Sequence, residues 1–182
     1  MKLTRPRTLG VAVAFGASIL ASSALAQSYS ERQMEQHILR KMHDVNRAEM
    51  RMGEMAMRRG HSQAVRSYGR RLRSDHQAND RMVRTVARSQ GVTLVEPMPM
   101  TRAERIQMDR DQQRHDEVMS ARGREFDRAF TRVMAEGHAD VARMLRHDRN
   151  RLHRGRVRAL VNTTIPAVER HQRLAQRLED RL

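Results

Sequence analysis

The chain has 182 residues, a formal net charge of +15 and no cysteine. That length gives one domain with a sizeable core, and the missing cysteines exclude disulfide staples and thiolate metal sites. The charge, nearly all arginine, would attract an anionic lipid or lipopolysaccharide surface; the arginines are spread over every segment with few aromatics between them, so no specific nucleic-acid binding is expected.

Residues 1–26 read as a signal peptide. Lys2, Arg5 and Arg7 form a positive n-region, Leu9 to Ala21 a short apolar run, and Ala24-Leu25-Ala26 a small-x-small cleavage signal. The run is shorter than the ~20 residues that span a bilayer. Cleavage would make Gln27 the new N-terminus, leave residues 27–182 as a single domain and place the mature protein in the periplasm or medium. Lys41 would then be its only lysine.

Ser30 to Arg59 has the period of a long helix, with Ile38, Met42, Val45, Glu49, Met52 and Ala56 on one face. Gly60 breaks it. His61 to Gln90 carries the second helix, with Val65, Gly69, Leu72, His76, Asn79, Val83 and Val86 on its stripe. Gly91 ends that helix, and Pro97 and Pro99 keep the next segment extended. Thr101-x-x-Glu104 is a capping box opening a short, polar crossover helix to about Ser120. Gly123 precedes the third long helix, Arg124 to about Arg149, with Phe130, Met134, His138, Val141 and Leu145 on one face. The fourth runs from about Gly155 to Asp180, with Val157, Val161, Thr164, Val168, His171, Ala175 and Leu178 inward. Pro166 inside that pattern predicts a kink and not a stop. Four long helices with a long middle connection describe an all-α, ferritin-like four-helix bundle with an additional short crossover helix.

Four polar residues break the apolar stripes: Glu49, His76, His138 and His171. With a rise of ~1.5 Å per residue they fall within about two turns of one another near mid-bundle. One reading is a metal site, since neutral imidazoles and a carboxylate suit a transition-metal ion such as zinc, iron or copper, with Asp75 or Asp127 fixing a histidine tautomer from behind. The other is a buried hydrogen-bonded network, in which Asn46 and Asn79 would take part. His37, His43, His61, His115, His147 and His153 stand among polar residues and are expected to be solvated.

Several stretches carry a family likeness. They are Glu49-Met-Arg-Met-Gly53-Glu-Met-Ala56, Asp75-His76 followed by Gly91-Val-Thr-Leu94, Glu125-Phe-Asp127 with His138 eleven residues on, and Ile165-Pro166 with His171. In their order and spacing the chain resembles the bacterial Domain of Unknown Function 4142 family, exported proteins of the ferritin-like superfamily. The resemblance implies a helical bundle and an envelope location but no activity. The di-iron pattern of that superfamily needs Glu-x-x-His pairs. Arg73, Ala135 and Val168 stand three residues before the three histidines, so a ferritin-type oxidase centre is not expected.

No nucleophile elbow, phosphate-cradling glycine loop or zincin motif is present. The leading reading is an exported, non-enzymatic bundle of the cell envelope acting under stress. The alternative is a metal-binding or metal-dependent oxidoreductase bundle centred on the four polar residues. A further alternative is a cationic module for anionic envelope polymers.

Overall fold

A computed structural model describes the backbone of residues 15–182 and the side chains from Tyr29 onward. It contains five helices: α1 (Phe15–Arg59), α2 (Gln63–Ser89), α3 (Arg102–Ser120), α4 (Gly123–Arg151) and α5 (Arg156–Glu179). There is no strand among the described residues, and none of these helices is long and apolar enough to cross a membrane. The n-region of the expected signal peptide and the side chains around its cleavage signal lie outside the described residues. The chain divides into a short unit, residues 1–33, and a body, residues 34–182.

α1 begins fifteen residues before the expected Ser30, because the alanine-rich stretch ahead of it contains no proline and propagates the helix readily. Ser62 caps α2 by accepting from the Val65 N–H, so His61 belongs to the turn and not to the helix. Thr101 and Glu104 form the reciprocal capping box at the start of α3. Gly91 (φ +67°) and Gly123 (φ +56°) take the left-handed conformation at the end of α2 and the start of α4. Pro166 lies within α5 without ending it.

The inward faces of the long helices form two apolar clusters. One joins Leu39, Val83, Leu145, Val157 and Val161; the other joins Ala56, Val65, Leu72, Phe126, Phe130 and Ala175. Every long helix passes from one cluster to the other. α1 and α5 run from the first to the second, α2 and α4 from the second to the first. Between the clusters lie Asn46, His76, His138 and His171, all buried. The core is therefore two apolar halves separated by one polar layer.

α3 returns the chain from the first end to the second, as a strap across α1 and α4. It buries only Val118, so polar pins hold it. Glu104 accepts from His37 (2.8 Å), Lys41 (2.7 Å) and the Met100 N–H (2.7 Å). Arg114 donates to Asp140 (2.8 Å) on α4, and Arg59 of α1 to the carbonyls of Met119 and Ala121. His37 is thus engaged, and so is His43: its ring is buried and lies 2.5 Å from Asp80, which also pairs with Arg84. The expectation that both would be solvated fails because their carboxylate partners sit 67 and 37 residues away, beyond any local pattern.

Burial would raise the Glu104 carboxyl, but the hydrogen bonds from Lys41, His37 and Met100 together outweigh it and bring it down to about 2. A depressed carboxyl contributes stability that is complete above its unfolded value, near 4.5, and is lost as pH falls toward its folded value. Glu104→Gln should therefore destabilise the protein at pH 7, on the order of 2 kcal/mol. Urea unfolding at pH 7 and pH 3 reads this out: the gap between wild type and variant should shrink by about half at the lower pH. A gap independent of pH would show that the pin does not act through its charge.

Candidate metal centre

His76 of α2, His138 of α4 and His171 of α5 form a near-regular triangle, with ring centroids 5.7, 5.2 and 5.3 Å apart. One nitrogen from each lies within 4.8 Å of one from each of the others. Each ring is turned by a partner on its far side. The His76 Nδ1–H donates to Asn46 Oδ1 at 2.9 Å, the His138 Nδ1–H to the Met134 carbonyl at 2.7 Å and the His171 Nε2–H to Asp75 Oδ2 at 2.9 Å. A neutral imidazole has one N–H, so these bonds leave a lone pair on His76 Nε2, His138 Nε2 and His171 Nδ1. Those three atoms are buried and have no hydrogen-bond partner.

Two of the rings, His76 and His171, are held toward the unprotonated form for a physical reason. Burial, followed by the influence of the two neighbouring histidines, holds His76 well below the usual 6.5. Burial lowers His171 as well, against the opposing bond from Asp75. Tyr68 braces the layer from α2: its hydroxyl donates to the His171 carbonyl at 3.0 Å and its ring meets the His171 ring edge-on.

Glu49 lies beside the triangle but outside it. The residue is half-buried while its Oε2 is fully enclosed and partnerless, and it shares a cavity wall with His76 and His138. Burial raises its carboxyl above the usual 4.5, with His138 opposing and Asp111 adding to the rise. Asn46 comes from the same helix, so α1 supplies both polar groups facing the histidines.

Asp75 stands behind His171, but Asp127 does not join the site. It is wholly buried at the α1–α2 turn, where its two oxygens each accept a backbone N–H, from His61 and Ser62, at 2.7 Å. Those amides belong to the N-cap Ser62 and to the turn residue before it, where no helical carbonyl is available, and one carboxylate satisfies both. Two partners escaped the sequence reading. Thr164 extends the network through Asn79 (3.0 Å), which in turn donates to Asn46 Oδ1 (3.1 Å). The Met134 carbonyl, one turn before His138, is a backbone group with no sequence signal.

The donors suit one metal ion. A point equidistant from three atoms 4.8 Å apart lies about 2.8 Å from each, against ~2.0–2.1 Å for a zinc–nitrogen bond, so closure needs about 0.7 Å per ligand. A di-iron centre does not fit, because none of the three histidines belongs to a Glu-x-x-His pair and Asp75, the α2 carboxylate at this level, is bonded to the far side of His171.

The family model described as "Domain of unknown function (DUF4142)" matches residues 20–178. No curated protein matches the chain. Among solved structures, the chain is similar to the crystal structure of a DUF305 fragment from Deinococcus radiodurans. The two share 15% identity with a TM-score of 0.70, over 82% of this chain and 97% of that one. At that identity the likeness shows the fold alone.

Proposed function

We propose, for a chain that belongs to the DUF4142 family and so inherits no activity by kinship, that it binds one divalent transition-metal ion through His76 Nε2, His138 Nε2 and His171 Nδ1. One observation carries this reading: in three rings 5.2 to 5.7 Å apart, one nitrogen of each is hydrogen-bonded and the other is buried without a partner. A network kept only for stability would pair those atoms with each other or with the backbone, since an unpaired buried polar group costs about 1–3 kcal/mol. Here the outward nitrogens are all paired and the inward ones are all bare. Neutral imidazoles favour zinc, copper, nickel or iron over magnesium or calcium. Asn46, Asp75 and the Met134 carbonyl would hold the rings in place and make them better donors.

The export signal read in residues 1–26 supports work in the cell envelope, where a site free of thiolates is insensitive to an oxidising surrounding. Metal analysis of protein purified without an affinity tag tests the binding reading. About one equivalent per chain is expected in wild type, and background in a His76→Gln/His138→Gln variant. Wild type that neither retains nor takes up zinc, copper, nickel, iron or cobalt would defeat it.

A further inference from the structure

Five side-chain polar atoms among the described residues are buried without a hydrogen-bond partner, and all five belong to this one layer. Besides the three imidazole nitrogens they are Glu49 Oε2 and Asn46 Nδ2. The first four carry lone pairs. The fifth is an N–H donor, and an amide N–H does not bind a cation. Asn46 is 1% exposed, and its orientation is set by its neighbours. Its Oδ1 accepts from His76 and from Asn79 Nδ2, while Asn79 Oδ1 accepts from the Thr164 hydroxyl. Turned over, Asn46 would set its Nδ2 against two donors. A metal ion alone would satisfy the histidines and leave this donor bare.

Asn46, Glu49, His76 and His138 line one cavity whose remaining walls include Val45, Val141, Met144 and Leu145. The space open to the centre of a water-sized guest is about 20 Å³, and one water needs ~10–15 Å³ on that measure. The cavity therefore takes a single small molecule and excludes any organic substrate of ordinary size. His171 does not line it, so it adjoins the triangle at His76 and His138.

We infer that the bound metal carries one non-protein ligand in this cavity, a water or hydroxide that accepts from Asn46 Nδ2 and donates to Glu49 Oε2, and that small anions exchange with it. The inference rests on the metal reading above and adds a fourth, open coordination position to it. It also accounts for Glu49, which is not one of the three clustered ligands yet lines the same cavity as His76 and His138 with a bare carboxylate oxygen. Three protein ligands with one exchangeable position are the arrangement of reactive metal sites; structural zinc is closed by four.

Cobalt(II) serves as the probe, because its visible absorption follows its coordination. The wild-type protein loaded with one equivalent of cobalt should change spectrum on azide addition and saturate at one azide. Asn46→Asp keeps an acceptor for His76 but replaces the cavity's donor with an acceptor. At saturating cobalt it should bind azide at least about tenfold more weakly, the loss of one hydrogen bond to a charged group. Val141→Ile adds a methylene to the cavity wall one turn along α4 from His138 without replacing a ligand, and should weaken azide more than it weakens cobalt. Saturating cobalt whose spectrum azide does not move, or both variants binding azide like wild type, would overturn the open position and leave the metal site standing. Failure of cobalt to bind at all would remove the metal reading and this inference together.

Discussion

Zinc at a free concentration about a hundredfold above its dissociation constant should stabilise the metal-free protein by about 2.7 kcal/mol. For a chain of this size that is a rise in melting temperature of about 5–11 °C. The gain arises because the unfolded chain cannot hold three imidazoles together, so binding energy appears as folding energy. His138→Ala removes one ligand of three and should abolish the rise. It should also cost the metal-free protein about 1–3 kcal/mol, through lost packing and the lost bond to the Met134 carbonyl. Differential scanning calorimetry with zinc and with chelator separates the two effects. A wild-type melting temperature that zinc does not move, beside a destabilised His138→Ala, would establish the purely structural network.

The pH dependence of the metal-free protein has a definite sign. His76 and His171 lie below 6.5 when folded and regain the ordinary value when unfolded. As pH falls through 6.5 the unfolded chain takes up protons first, so stability falls on acidification in that window. Glu49, raised above 4.5 by burial, acts in the opposite direction between its folded value and 4.5, one carboxyl against two imidazoles. Acidification from pH 7 toward pH 6 should therefore lower the melting temperature. Bound zinc sharpens the dependence, because each imidazole must stay neutral to hold it.

The fold was legible because its periodicities are long and its punctuation is strong. The heptad-like steps through Ile38 and Ala56, the Thr101–Glu104 box and the glycines at 60, 91, 123 and 155 leave little freedom in element order. The meeting of His76, His138 and His171 followed from the same arithmetic, since phase and rise per residue fix both face and level. What remained hidden depends on side-chain rotation or on contacts distant in sequence. Glu49 has the right face and level, yet its carboxylate stands beside the triangle. Asp127 neighbours Phe126 in the core and was a plausible partner for a histidine; two backbone amides of the α1–α2 turn claim it instead. His43 and Asp80 meet only because α1 and α2 lie antiparallel with one particular register.

That register is set by Gly53 and Gly69, where the two backbones meet, and the same substitution should have opposite effects at Gly69 and at Gly137 of α4. A Cβ on Gly69 would lie 2.7 Å from the Gly53 carbonyl oxygen and 2.8 Å from Ala56 Cβ; a Cβ on Gly53 would lie 2.7 Å from the Gly69 carbonyl oxygen. These are contacts with backbone or with a rigid methyl, so the helices must move apart. Alanine is the better helix former by about 1 kcal/mol, but overpacking costs about 1–3 kcal/mol. Gly69→Ala should therefore destabilise the protein on balance, by up to about 2 kcal/mol. Gly137 lies within α4 with nothing within 4 Å of an added Cβ, so Gly137→Ala should stabilise by about 0.5–1 kcal/mol. Urea unfolding of the two variants reads both signs. The consequence also reaches the site: α1 carries Asn46 and α2 carries His76, and their 2.9 Å bond requires the close approach that the two glycines permit. Gly69→Ala should weaken zinc binding without altering any ligand, whereas Gly137→Ala, adjacent to His138 but unopposed, should leave it unchanged. Equal zinc affinity in both variants would show that the ring of His76 is held independently of the α1–α2 spacing.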